Sequence, residues 1–223
     1  DGTVEYLKEL EAKKLPQVKI ILNPVNSGFA GGNNLGIREA KGDYVLLLNN
    51  DTVISRGWLT AMTSHLENDR QLGMCNPVTN SIGNESKIPA TYPVSFREFA
   101  YAYTAKHAGE TYPEVDRLPL FATLIRRDVI EKAGMLDEEY KIGMFEDDDY
   151  TEAVKAAGYQ ITISEDAFIH HINNASFKKL DDEQYKKIFE ANKAIFEKKW
   201  HKKWSMPHYR KGVNWDTNCQ TKY

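Results

Sequence analysis

A chain of 223 residues, 41% of them hydrophobic, has room for one large α/β domain with its own core and little for a second. A net charge of −3 sets up no global field to draw in nucleic acid, no apolar run approaches the roughly 20 residues of a membrane span, and no signal or transit segment opens the sequence. Cys75 and Cys219 are far apart and lack metal-ligand or redox spacing, which suits a reduced, cytoplasmic chain.

In chain order, Thr3 is placed to cap a helix over residues 4–13. Residues 18–22 read as a short buried strand, 26–32 as a glycine-rich loop and 33–40 as a helix. Residues 44–48 form an apolar run with the length of a central strand, and it stops abruptly at Asn49-Asn50-Asp51. Ligands of open α/β sheets bind beyond the carboxyl ends of strands, so this polar triplet is well placed. A helix is expected over 58–67, a strand over 72–78 with Cys75 as a small core residue, and a mobile loop over 79–94. Ser95 and Glu98 have the spacing of a capping box and predict a helix to about residue 108. A strand over 118–125 is followed by a short helix over 127–133 that Gly134 ends. The acids Glu146, Asp147, Asp148 and Asp149 open a helix that closes near Gly158, and two short strands, 160–163 and 167–169, lead to His170-His171. Alternating strands and helices predict a mixed, mainly parallel sheet with helices on both faces. The division expected is a core over 1–180 and a C-terminal helix and tail over 181–223.

Several of these segments can carry chemistry. An isolated acid after a strand is most often a turn or cap residue, but Asn49, Asn50 and Asp51 also offer three side-chain oxygens to a hard divalent cation. Acids in a first helical turn commonly just stabilise the helix. Four in succession cannot all face one way, however, and their repulsion raises the proton affinity of the least solvated, which makes a general base. His170 and His171 put one imidazole on each face of a strand, and a neutral imidazole beside carboxylates suits manganese better than calcium. The stretch from Gly28 to Gly36 follows a strand and opens a helix as phosphate-cradling loops do. Asp51 lies twenty residues beyond Gly31, which invites a dinucleotide-binding oxidoreductase. The glycine spacing does not match that fingerprint, and a transferase ranks above it.

Taken together, residues 26–36, 42–52 and 145–150, with His171 and Ser176 beyond them, resemble the inverting family 2 glycosyltransferases of GT-A (Rossmann-like) fold. The likeness is to the rhamnosyltransferase-like branch of bacterial surface-polysaccharide enzymes and spans roughly residues 1–178. It implies that Asn49-Asn50-Asp51 occupies the place of the DxD element, with Asp51 holding Mn²⁺ or Mg²⁺ on the donor diphosphate and Asn49 replacing the first acid. By the same resemblance Asp147 is the base with Glu146 in support, and His171, five residues before Ser176, is a second metal ligand. Gly31, Gly32 and Asn33, with Asn49 and Asn50, line the nucleotide-sugar site. The implied donor is a UDP-, GDP- or dTDP-sugar, the acceptor a hydroxyl of a glycan or lipid-linked molecule, and the reaction a single inverting displacement.

Members of that family begin with two strands that hold the nucleotide base, and Asp1-Gly2-Thr3 resembles the tail of the second. The resemblance therefore implies an N-terminally incomplete core belonging to a longer polypeptide with further domains. Its alternative is a catalytically silent GT-A-like binding module. Over residues 182–204 Tyr185, Ile188, Phe189, Ile195, Phe196, Trp200 and Trp204 recur at helical spacing among lysines. That pattern predicts an amphipathic helix packed on the domain, with peripheral contact to the inner face of a membrane as its second reading.

Overall fold

The computed structural model describes residues 2–92, 95–112, 115–172 and 181–217. Ser176 and Cys219 lie outside them. The apolar runs become strands β1 (Tyr44–Leu48), β2 (Thr52–Ile54), β3 (Leu72–Thr79), β4 (Thr111–Tyr112), β5 (Ala122–Arg126) and β6 (Gln160–His171). Between them lie helices α1 (Thr3–Ala12), α2 (Gly28–Glu39), α3 (Trp58–Asn68), α4 (Phe96–Lys106), α5 (Arg127–Ala133), α6 (Glu146–Ala156) and α7 (Asp182–Trp200).

The strands join in the order β1-β5-β3-β6-β2, and β4 also pairs with β6. The sheet is mixed, as expected, but among the described residues only β3 and β6 run parallel; the pairs β1–β5, β3–β5, β2–β6 and β4–β6 are antiparallel. Alternation of elements reveals the connections but not the direction in which a short strand enters, and an antiparallel strand needs no helical crossover. Helices do cover both faces. Alternate residues of β3 and β5 feed two cores: Met74 and Ile125 pack with residues of α2, α4, α5 and α6, whereas Cys75 and Leu124 pack with Trp58, Met62 and Leu66 of α3.

Four expectations are corrected. Residues 18–22 are not a strand, and Val18, Ile21 and Leu22 are 39%, 41% and 42% exposed. An apolar run becomes a strand only where a neighbour accepts its ladder bonds, and among the described residues none pairs with it. Thr3 is the first helical residue rather than the cap, a position taken by Gly2. The segment 79–90 is no mobile loop: Thr79, Asn80, Asn84, Ser86 and Ile88 are at most 2% exposed. Its polar residues turn inward, as where Asn84 Nδ2 donates to the Arg117 carbonyl at 2.9 Å. Finally, the two short strands near the end of the core are one, β6, broken only by a register shift against β3 between Ser164 and Phe168.

Helix α7 packs its apolar face on the domain. Phe196 forms a buried cluster with Tyr140 and Phe145, and Phe189, Ile195, Trp200 and Trp204 pack around it. The face that the membrane reading requires is thereby occupied. No helix among the described residues is long and apolar enough to cross a membrane.

Candidate active site

The register of the sheet creates the first half of the site. β2 pairs with the end of β6 so that Thr52 faces His171, and the Ile172 amide donates to the Asp51 carbonyl at 2.8 Å. Asn80 fixes the same stretch from the other side: its Oδ1 accepts from the His171 amide at 2.7 Å and its Nδ2 donates to the His171 carbonyl at 3.0 Å. Asp51 Oδ1 consequently lies 3.3 Å from His171 Nε2. The ring stacks on Phe121, and its Nδ1 lies 2.9 Å from the Ser81 carbonyl. A carbonyl can only accept, so Nδ1 carries a proton, and in the neutral ring Nε2 turns its lone pair to the carboxylate. Two acceptors facing each other at that distance call for a cation or a proton between them. The donor set, one carboxylate and one imidazole with a backbone-anchored second nitrogen, fits Mn²⁺ or Mg²⁺ completed by phosphate and water oxygens. No cluster of three or more His, Cys, Asp or Glu side chains suited to a metal occurs among the described residues.

His170 faces the opposite way. It is fully buried, with Nδ1 2.7 Å from the Tyr92 hydroxyl and its ring packed against Phe96. Burial, then the neighbouring His171, lowers its proton affinity. It is a core residue.

The other half expected of the site is the first turn of α6. Met144 and Phe145 precede it with φ of 75° and 76°, a left-handed pair that bulky residues adopt only when their surroundings impose it. Phe145 is 3% exposed and packed against Phe189, Phe196 and Trp204, while Asn192 Nδ2 of α7 lies 3.2, 2.9 and 3.0 Å from the carbonyls of Tyr140, Gly143 and Met144. The four acids then separate in role. Asp149 accepts from Trp200 Nε1 at 2.7 Å, Lys199 Nζ at 2.9 Å and the Tyr140 hydroxyl at 3.1 Å. Asp148 pairs with Arg117 and accepts from Trp204 Nε1 at 3.0 Å. Asp147 has no such partner among the described residues, where its Oδ1 accepts from the Asp148 amide at 3.0 Å. Glu146 is 8% exposed and its Oε2 is buried without a hydrogen bond among the described residues.

Burial pushes the Glu146 carboxyl up to about 7, with the Asp148 charge adding to it, and burial followed by the charges of Asp148 and Glu146 holds Asp147 well above the usual carboxylate range. Carboxyls raised in the folded state contribute stability that is fully present below the ordinary glutamate value of 4.5 and is lost as pH rises through about 7. The stability that Glu146 and Asp147 contribute should therefore fall between pH 5 and pH 8, against the smaller opposite contribution of His170, whose lowered proton affinity adds stability as pH rises towards 6.5. Glu146→Gln should flatten that fall and raise stability at pH 8, by about 3 kcal/mol at most. Thermal melts across the pH range check it, and a variant as pH-sensitive as the parent would contradict it.

No hydrogen bond or ion pair among the described residues links Asp147 or Glu146 to Asp51 or His171. Asn49 is tied by its amide to the Phe121 carbonyl at 2.8 Å and by its carbonyl to the Thr52 hydroxyl at 2.8 Å, and Asn50 is exposed. The glycine-rich stretch is not a cradle loop, since α2 begins at Gly28 and contains Gly31, Gly32 and Asn33. Gly28, at φ 72°, lies so close to the chain that a Cβ would stand 1.6 Å from the Lys141 carbonyl oxygen. Gly31 packs on Ser27, Gly32 faces open space, and Asn33 Nδ2 donates to the Phe29 carbonyl of its own helix at 2.9 Å. The residue that joins α2 to the rest is one the sequence reading missed. Asn34 exchanges bonds with the Leu136 backbone at 2.8 and 3.0 Å and donates to Glu138 at 2.8 Å.

Comparison with solved structures shows that the chain has the GT-A glycosyltransferase fold. Similar structures include GalNAc-T7 with UDP, GalNAc and Mn²⁺ (TM-score 0.56, 15% identity, 75% of this chain and 35% of that one). A mannosyltransferase from Pyrobaculum calidifontis in complex with GDP-Man and Mn²⁺ is also similar (TM-score 0.58, 16% identity, 93% and 53%), as is S. aureus TarS (TM-score 0.52, 18% identity, 84% and 34%). The chain thus spans about a third to a half of the length of these structures. No curated protein sequence matches it. The model of the family described as "Glycosyl transferase family 2" matches residues 1–134, from the first helix through α5 and including Asp51. That match covers more than half of the sequence, and the chain belongs to glycosyl transferase family 2.

Proposed function

We propose that the chain is the catalytic core of an inverting glycosyltransferase that takes a sugar from a UDP-, GDP- or dTDP-sugar to a hydroxyl of a glycan or lipid-linked acceptor, in bacterial surface-polysaccharide synthesis of the rhamnosyltransferase-like kind. The observation that carries this reading is the Asp51–His171 pair, 3.3 Å apart with the other ring nitrogen committed to the Ser81 carbonyl. The mannosyltransferase and GalNAc-T7 structures, each with a nucleotide or nucleotide sugar and Mn²⁺, support the same donor class.

Asp51 and His171 would hold Mn²⁺ or Mg²⁺, whose chemistry when bound is to offset negative charge on the departing diphosphate. Asn49, Asn50, Gly31, Gly32 and Asn33 are assigned to the donor side. Asp147 accepts the proton of the acceptor hydroxyl as that oxygen bonds to the anomeric carbon from the face opposite the diphosphate. The bond from that carbon to the phosphate oxygen breaks with its electrons on the leaving group, and the configuration inverts. A base works best with a proton affinity near the operating pH, which burial beside Glu146 and Asp148 favours for Asp147. Glu146 supports it by keeping the pocket's charge low.

A ligand that binds only the folded state raises its stability. At a hundredfold excess over Kd, UDP, GDP or dTDP with Mn²⁺ should therefore raise the melting temperature by roughly 5–10 °C. The rise should vanish without the metal and in His171→Ala. Stabilisation by NAD without metal, or none by any nucleoside diphosphate, refutes the reading.

A further inference from the structure

We propose that the cavity between the end of β2 and α4 is a subsite for an anionic group, a phosphate or a carboxylate, carried by the glycan acceptor; this rests on the transferase reading above. The cavity measures about 510 Å³ and is lined by Ile54, Ser55, Arg56, Arg97, Ala100 and Tyr101. Both arginines are exposed to it without a hydrogen bond or ion pair among the described residues, whereas Arg117, Arg126 and Arg210 each pair with a carboxylate. Two arginines lining one concavity can offer it the planar donor forks that match phosphate and carboxylate oxygens.

The walls are built rigidly. The Ser55 hydroxyl donates to the Phe168 carbonyl at 2.6 Å, which commits its proton within the protein and fixes the turn that carries Arg56. On the other side, Ser95 caps α4 by accepting from the Glu98 amide at 3.2 Å, and Phe96 and Ala100 are 7% and 2% exposed. Arg97 and Tyr101 are four residues apart and share a helix face. Tyr101 is 77% exposed and Ile54 53%, so the cavity pairs its two cations with an aromatic ring and an aliphatic side chain on which the apolar face of a sugar can rest. Membrane recognition through phosphate headgroups relies on clusters of about 4–8 basic residues on a convex or flat surface, and a two-arginine concavity fits a discrete group instead.

Location connects the cavity to the reaction. Ile54 ends the three-residue strand β2, which Asp51 immediately precedes, so the two lie at most about 10 Å apart at roughly 3.3 Å per residue. An acceptor with its reacting hydroxyl beside Asp51 and Asp147 can therefore seat the charge of a neighbouring unit between Arg56 and Arg97.

The test titrates the full chain, without nucleotide or metal, with a glucuronate-containing tetrasaccharide, a glycerol phosphate tetramer, a neutral N-acetylglucosamine tetrasaccharide, inorganic phosphate and phosphatidylglycerol vesicles. At least one of the two anionic oligomers should bind. Arg56→Ala and Arg97→Ala should each weaken that binding about tenfold, inorganic phosphate should compete with it, and the neutral tetrasaccharide should not bind. Arg97→Lys, which keeps the charge but loses the fork, should fall between parent and alanine variant and guards against a folding defect. Equal binding of the neutral sugar, undiminished binding in the double alanine variant, binding of inorganic phosphate alone, or binding to vesicles alone overturns the proposal. Nucleotide-dependent stabilisation measured on the same samples separates this failure from failure of the transferase reading.

Discussion

Asp147→Asn is expected to lower kcat by about 10²- to 10⁴-fold, the usual worth of a positioned general base, while leaving metal-dependent nucleotide binding intact. The amide keeps the shape of the side chain and can still accept the Asp148 amide bond, so the helix start is undisturbed. It removes a charge that burial and the neighbouring Asp148 and Glu146 disfavour, so at pH 8 the variant should melt no lower than the parent. Loss of turnover together with unchanged stability would separate a chemical role from a structural one. Release of nucleoside diphosphate from each candidate donor, with and without acceptor, measures the first, and thermal melts measure the second. A variant that turns over at the parental rate removes Asp147 from the mechanism and passes the role to Glu146, another raised carboxyl of the turn, whose Oε2 is buried without a hydrogen bond among the described residues.

Why that turn was legible in sequence, and its neighbours less so, follows from what each feature depends on. Four adjacent acids at a helix start are a local fact, as are the Ser95 cap, the Gly134 and Gly158 stops and the apolar run of β1, and all of these appear where the sequence places them. The pairing of Asp51 with His171 depends on register between β2 and β6, strands more than a hundred residues apart. Motif order could suggest it, but only the ladder gives the distance. The glycine stretch misled because local chemistry favours a loop there. The helix forms from Gly28 because Asn34 and Ile37 bury on the rest of the domain, so that tertiary contact overrides weak helix propensity. The polar segment 79–90 looked mobile for the same reason in reverse, since its asparagines find backbone partners only in the folded domain. The four acids cannot be told apart by local chemistry, and only the resemblance singles out Asp147 with Glu146 in support. What distinguishes them is α7, whose Lys199, Trp200 and the following Trp204 take up Asp149 and Asp148 and leave Asp147 free.

That division of labour makes α7 a support for the site and predicts a large, asymmetric effect. The Asp149 side chain is 3% exposed and that of Lys199 is 37% exposed, so Lys199 can turn to water or to Asp137, at 2.6 Å, whereas Asp149 cannot leave. Lys199→Met should therefore cost about 3–5 kcal/mol, the range for stranding one member of a buried pair, because only the neutral donors of Trp200 and Tyr140 remain for the carboxylate. Asp149→Asn should cost less, since Lys199 keeps Asp137 and the amide oxygen can still accept from Trp200. In the double variant the stranded charge is gone, and stability should recover part of what Lys199→Met loses, giving a coupling of about 1–3 kcal/mol in a double-mutant cycle. Denaturant melts of the four proteins supply that number. Because Asp149 anchors the same turn that presents Asp147, Lys199→Met should also lower kcat in conditions where the protein remains folded, with little change in nucleotide affinity at the Asp51–His171 pair, which Lys199 does not touch. Additive costs, or a fall in nucleotide affinity with kcat untouched, would detach α7 from the presentation of the base and leave it as a packing element alone.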